Sequence, residues 1–386
     1  MKRKLLGIIC LFALTACGGG GGGSNPAPAP TPNPDFVDDP VPPSPTPPSG
    51  SYNGVPYSSL GQPTGLTQSY PNAFWPNNLQ NSLQIAYGNN SESQVANLAA
   101  YVNMGSGLCS ATPVSYDANS NTTFLIGAAH CFVQSKDSPT TLSSNNLLPT
   151  SNLTIYNGVS QAKGWVGTYP VVAVYVQQDY CYNGTFSSGG ECSNFSPNYG
   201  AVNGQGNDIS IIQVQGKYAD PESYPQVVPA SQYPQTYTMA PILSIGYGYN
   251  TQVPNGNVPA GCTAGVNCAI MFYTANYQYW QQDATGYHYL YNSYYNNSGF
   301  GQSGYSSLIC GGDSGGGDLF WTGSKWILLS EHTYGPSGAC GTFYNYLPNG
   351  ATNVSSYYNW IQSIITNPSP AANCNSGAIA NCVTNG

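Results

Sequence analysis

The stretch CGGDSGGGDLF, residues 310–320, sets five glycines around an aspartate and a serine. Glycine-rich segments are commonly turns, because glycine alone enters positive φ without steric cost. A serine hydroxyl does not ionise near neutral pH unaided. Ser314 therefore carries chemistry only if the chain also supplies a base, an acid to orient that base, and donors for a developing oxyanion.

The search for a base is short, because the 386-residue chain holds three histidines. His130 lies in LIGAAHCF, His288 in GYHYL and His332 in SEHTYG. His130 follows a strand-like run and precedes a cysteine. A second strand-like run, NDISIIQV, opens with Asp208. The surrounding pattern is one of short apolar or alternating runs bounded by Gly, Asn and Pro: YPVVAVYVQ, APILSIGYG and KWILLSEHTYG are further examples. Helical spacing is clear only in SSYYNWIQSIIT, residues 355–366, where Tyr357, Trp360, Ile361 and Ile364 share one face. Many short strands and one terminal helix predict an all-β sandwich or barrel fold.

Several of these stretches, in this order, resemble the chymotrypsin/trypsin-like serine proteases. LIGAAHCF is similar to that family's TAAHC motif, GGDSGG to its nucleophile loop, NDISIIQV to its NDIALL, ILSIGYGYN to its SGWG segment, and YYNWIQSII to its C-terminal helix. The order His, Asp, Ser is the chymotrypsin order. GDSGG also fits the GxSxG elbow of α/β-hydrolases, but that fold needs a helix after the serine and its histidine last. The resemblance covers roughly residues 85–366. It implies two Greek-key six-stranded β-barrels with a C-terminal helix, and a triad of His130, Asp208 and Ser314. It also implies an oxyanion hole from the N–H groups of Gly312 and Ser314, and a serine endopeptidase acting on protein or peptide substrates without a cofactor. In the family the pocket floor lies six residues before the nucleophile. That is Leu308, with Ser330 and His332 on the wall, so an uncharged side chain is expected before the cut; Glu331 and His332 could override this. The family also buries an ion pair between the aspartate before the nucleophile and a new N-terminal amine. Asp313 and Ile85, in IAYG, take those places. The departures are a long His130–Asp208 interval, Gly317 in place of proline followed by an extra acid, Asp318, and a long Ser330–Cys340 segment.

The flanks carry their own signals. MKRKLLGIICLFALTAC has a basic start, a short apolar run and small residues before a cysteine, the pattern of an export signal. LTAC, residues 14–17, resembles the lipobox of bacterial lipoproteins, so Cys17 is expected to carry lipid and residues 1–17 to be a signal peptide. Gly18, where an aspartate would stand in an inner-membrane protein, resembles outer-membrane sorting in Gram-negative bacteria. Residues 18–50, with GGGGGG and PVPPSPTPPSG, read as a linker holding a domain off a membrane. Residues 51–84 read as a possible pro-segment or a wrap, and 367–386 as a small polar tail. A cut before Ile85 would also release the catalytic part from the anchor, since no cysteine lies between Cys17 and Ile85.

After Cys17 ten cysteines remain, an even number that suits disulfides in an exported chain. They fall as sequential pairs: Cys109 and Cys131, Cys181 and Cys192, Cys262 and Cys268, Cys310 and Cys340, Cys374 and Cys382. Sequence alone leaves the connectivity open. The family resemblance implies Cys109–Cys131 and Cys310–Cys340. Zinc is the rival reading, but no CxxC occurs and no metal is expected. Charged residues make up 6% of the chain, against roughly 25% in ordinary soluble domains. Loss of Lys2, Arg3 and Lys4 would take the formal charge from −8 to −11 and remove the one arginine. Nucleic-acid binding through a basic groove is excluded on that balance. The Tyr-, Asn- and Ser-rich run YLYNSYYNNSGFGQSGYSS also suits a binding surface. That supplies a competing reading, a non-catalytic surface binding protein on a protease-like scaffold. The oligomeric state is not legible.

Overall fold

A computed structural model describes residues 50–60, 84–85, 97–134, 142–180, 185–186, 192–193, 207–234, 239–248, 272–282, 288–292, 311–334 and 349–386, apart from breaks at 106, 159–160 and 162–163. It is mostly β. Six strands form the first half: β1 Ala100–Asn103, β2 Leu108–Asp117, β3 Thr122–Gly127, β4 Thr154–Asn157, β5 Gly167–Val176 and β6 Ser210–Gln215. Their order is β6-β3-β2-β1-β4-β5, and β6 pairs again with β5 from Ser210↔Val176 onward. The sheet is thus a closed six-stranded barrel. Closure leaves no free edge in the ring, which suits strands as apolar as LIG and SIIQV.

Six more strands follow: β7 Met239–Gly246, β8 Phe272–Gln282, β9 His288–Asn292, β10 Gly317–Trp321, β11 Trp326–Tyr334 and β12 Asn349–Asn353. Their order is β7-β10-β11-β12-β9-β8, and β7 pairs with β8 as well as β10. Counted from the first strand of each half, the neighbours run 1-2-3-6-5-4 in both.

The runs in β3 and β6 read as continuously apolar because their two faces serve two cores. Successive strand residues point to opposite sides. Leu125, Ile212 and Val214 fill the barrel interior with Val174, while Phe124, Ile126 and Ile211 join a cluster with Ile242, Leu243 and Leu328 of the second half. This shared cluster holds the ends of β3 and β6 against β7, β10 and β11, and those ends carry the site.

The helix α1, Tyr358–Ile365, buries Ile361 and Ile364, two of the four residues expected on one face, with Trp360 packed partly against the same core. Beyond it the chain departs from a simple tail. A short helix α2, Pro370–Asn375, begins with proline, which is tolerated where the N–H needs no partner. The Cys374–Cys382 disulfide then turns the chain so that Val383–Thr384 pairs with β5 at Val176 and Tyr175. The last residues thereby add a short strand alongside β5. At the other end, Tyr57 and Leu60 of the 51–84 stretch are buried, and the Tyr52 and Tyr57 rings pack on Phe320 of β10. That part of the stretch wraps the second half.

Candidate active site

His130 sits in the single 3-10 turn Ala129–Cys131 that follows β3. The Cys109–Cys131 disulfide ties this turn to β2. Asp208 sits just before β6, which pairs with β3, so the two residues leave adjacent strands at the same barrel end. The Asp208 carboxylate engages His130 twice. Oδ2 lies 2.7 Å from Nδ1, and Oδ1 accepts the His130 backbone N–H at 2.8 Å. The acid is 2% exposed and its main chain is also held: the Thr352 hydroxyl of β12 donates to the Asp208 carbonyl. Tyr357 donates to the side chain of Asn207, the preceding residue, at 2.7 Å. The imidazole is therefore fixed by a buried acid whose backbone and neighbour are held by Thr352 and Tyr357 from the second half and the segment after it.

Ser314 lies in the loop before β10. Gly312 has φ +97° and Gly315 φ +83°, conformations that other residues adopt only under strain. At Gly315 the reason is also contact. A β-carbon would strike the Ser110 carbonyl, the Ala128 nitrogen and the Gly127 α-carbon. The Ser314 loop thus rests directly on the segment leading into His130, and the Ser314 carbonyl lies 3.9 Å from the Cys131 sulfur. Ser110 staples the loop from below. Its N–H donates to the Ser314 carbonyl, its hydroxyl donates to the Gly312 carbonyl, and the same oxygen accepts the Tyr247 N–H. Ser110 was not picked out in the sequence, although it directly follows the half-cystine that joins β2 to the His130 turn.

Asp313 accepts the Gly248 N–H at 2.7 Å, and it packs so closely over GYG (246–248) that a β-carbon at either glycine would collide with its carboxylate. The backbone of Gln84–Ile85 forms a strand on β8 at Phe272 and Tyr273, and Phe272 in turn faces Gly246 of β7. Ile85 is therefore two strands, about 10 Å, from the glycine beneath Asp313. The expected Ile85–Asp313 ion pair requires the amine that a cut after Gln84 would free; in the uncut chain Asp313 accepts the local Gly248 N–H.

The pocket residues differ from expectation. Ser330 and His332 are buried, at 0% and 3% exposure, and both bond Asp318 instead of lining an open wall. Ser330 donates to one Asp318 oxygen at 3.0 Å, while His332 Nε2 lies 2.9 Å from the other, which also takes the Ser244 hydroxyl. The cause is register. Asp318 and Ser330 face each other, and bulges at Asp318/Leu319 and His332/Tyr334 break simple alternation along β11. Burial would lower the His332 pKa, but the adjacent Asp318 carboxylate, aided by Asp313, raises it above the usual imidazole value. Glu331 is fully buried next to these groups. Burial pushes its carboxyl well above the usual range, and the charge of Asp208 adds to the shift. Its Oε1 accepts the Thr333 hydroxyl at 3.3 Å, and its Oε2 has no hydrogen-bond partner among the described residues.

Leu308 and the pairings of Cys181, Cys192, Cys262, Cys268, Cys310 and Cys340 lie outside the described residues, as does Cys17. Cys109, Cys131 and His130 bring potential ligand atoms within 4.8 Å of one another, but the two sulfurs are bonded together and offer no thiolate. Among the described residues no helix is long and apolar enough to cross a membrane.

No family model matches the sequence, and no curated protein matches it. Among solved structures, one described as the scabies mite inactivated protease paralogue S-I1 is similar, with a TM-score of 0.42 at 16% identity, over 71% of this chain and 96% of that chain.

Proposed function

We propose that the protein is a serine endopeptidase with the two-barrel architecture of the chymotrypsin-like enzymes, exported and anchored by a lipid on Cys17. The observation that carries this reading is the buried, doubly bonded Asp208–His130 pair, with the glycine turn of Ser314 laid against the segment that ends in His130. The identical strand order of the two halves supports the two-barrel part.

In this reading His130 takes the proton of the Ser314 hydroxyl as that oxygen attacks the scissile carbonyl. Asp208 fixes the ring with Nδ1–H toward itself, leaving Nε2 as the base, and stabilises the imidazolium that forms. The N–H groups of Gly312 and Ser314 receive the oxyanion; a donor of this kind is worth about 2.7–4 kcal/mol of transition-state stabilisation. His130 then returns the proton to the leaving amine, and water hydrolyses the acyl-enzyme by the same steps. Leu308 favours an apolar residue before the cut. Incubating the purified chain with a casein-derived peptide library, in parallel with Ser314→Ala, tests the assignment. Cleavage by the parent and none by the variant is expected, mainly after apolar or aromatic residues. Equal turnover by the two would refute the proposal, and dominant cleavage after Lys or Arg would refute its specificity.

A further inference from the structure

Beneath the nucleophile loop lies a pair of ionisable residues that the triad does not use. Asp318 of β10 and His332 of β11 lie diagonally across the hairpin with their side chains 2.9 Å apart and 2–4% exposed. The pair reaches the loop through three connections. The Gly315 N–H donates to the His332 carbonyl at 2.8 Å, and the His332 N–H donates to the Gly316 carbonyl at 2.8 Å. The imidazole itself lies under Gly316, where a β-carbon would come within 3.0 Å of Nδ1. That nitrogen faces the Asp313 carbonyl without reaching hydrogen-bond geometry. Asp318 in turn is fixed from a third strand by the Ser244 hydroxyl of β7 and from β11 by Ser330. A buried carboxylate is costly unless charge and hydrogen bonds compensate it, and these groups supply both.

We propose that the buried His332–Asp318 pair is a positioning device for Ser314: it holds the 312–316 loop from beneath in the uncut chain, in place of the ion pair that cleavage before Ile85 would supply. This deepens the protease reading and rests on it. The glycines at 315 and 316 let the loop sit directly on His332, and Asp313 is already occupied by the Gly248 N–H. Every loop residue from 312 to 316 is thus fixed by Ser110, Gly248 or His332, without a free chain terminus.

The protonation state follows from the surroundings. The charged groups acting on the imidazole are Asp318 from β10 and Asp313 from the loop. Glu331, next to His332 on β11, points to the opposite face of the strand, and the partner of His332 on β12 is the apolar Ala351. The carboxylates favour the imidazolium. A group whose folded pKa is raised stabilises the fold fully below its unfolded value near 6.5, and that contribution is lost as pH rises through the folded pKa. The brace is therefore complete below about pH 6.5 and is lost as pH rises through the raised His332 pKa.

The test uses the full chain, with its intact Gln84–Ile85 bond checked by mass, and the variants Asp318→Asn and His332→Gln. Hydrogen exchange of residues 312–316 is followed by NMR beside exchange of Leu125 and Ile126 in β3, and the rate of fluorophosphonate labelling is measured against pH. The expected result is loop exchange and labelling altered by about tenfold to a hundredfold in Asp318→Asn, the range for losing a hydrogen bond to a charged group. Exchange rises and labelling falls, the β3 amides are unchanged, and the alkaline limb of labelling moves to lower pH. His332→Gln keeps a donor to Asp318 but no charge, so it folds and gives an intermediate defect without the alkaline limb. Loop exchange and labelling equal to the parent in both folded variants would overturn the proposal, as would labelling that begins only after cleavage before Ile85. A parent chain that never labels defeats the protease reading instead, and loop exchange alone then decides whether the pair braces the loop.

Discussion

In the barrel β1–β6 the buried polar side chains are hydroxyls and amides, such as Ser110, Thr123, Ser210 and Gln213, and among the described residues of this half Asp208 at the rim is the one buried carboxylate. In β7–β12, with the same strand order, the hairpin β10–β11 alone buries Asp318, Glu331 and His332. The difference lies in what each half holds. The first half must aim one imidazole, and a rigid neutral scaffold with a single bonded acid does so. The second half must hold a glycine turn, which has no side chains of its own to pack, and ionic and hydrogen-bonding groups beneath it substitute for that packing. The barrel end is expected to be robust to pH and the loop end sensitive to it.

The largest effects break the junction itself. Ser314→Ala and His130→Ala should each lower kcat by roughly 10⁴ to 10⁶, and Asp208→Asn by about 10⁴ through loss of the correct tautomer. The thermal transition should survive in Ser314→Ala, and steady-state kinetics on one peptide substrate measures all three. Residual activity above a tenth of the parent in any of them would separate that residue from the chemistry. Next comes the disulfide that ties the His130 turn to β2. Replacing Cys109 and Cys131 together by alanine should cost about 2–4 kcal/mol, read by urea denaturation. Because Cys131 also lies beside the Ser314 carbonyl, the loss should slow turnover as well as weaken the fold.

Smaller effects sharpen the contrast. Gly315→Ala forces φ +83° on a residue with a β-carbon and drives it into the Ser110 carbonyl. A loss of more than about 1 kcal/mol is expected, with kcat falling more than KM changes. A neutral Gly315→Ala would mean that the loop does not rest on the barrel. The smallest change has the opposite sign. The raised carboxyl of Glu331 destabilises the fold as pH climbs above its ordinary value near 4.5, because the unfolded chain ionises there and the folded one resists. Glu331→Gln should therefore raise the melting temperature, and by more at pH 7 than at pH 5. A pH-independent shift would place the buried charge elsewhere.

Much of the site was legible because its chemistry demands particular residue types. One histidine among three stood beside a cysteine after a strand, and one serine stood among five glycines. The apolar runs of β3, β6 and β7 announced strands, although not that alternate side chains of β3 and β6 would divide between two cores. What the residues hid is direction. The segment SEHTYG was expected to present Ser330 and His332 to a pocket, but the β10–β11 register and two bulges turn them onto Asp318. Asp318 stood out as an extra acid, but its partners come from two strands, β11 across the hairpin and β7 74 residues away, and only the fold brings them together. The return of Val383–Thr384 to β5 was hidden for a simpler reason: two paired residues leave no periodicity to read. Ser110 and Thr352 act through hydroxyls placed by tertiary packing, and no local pattern marks them.

The central claim, that Asp208 and His130 activate Ser314, is tested most directly by intact-mass and peptide-mapping analysis after treatment with a fluorophosphonate. A single adduct on Ser314 is predicted, formed at neutral pH and abolished in His130→Ala. No adduct on the folded chain, or one that forms equally well without His130, would contradict it.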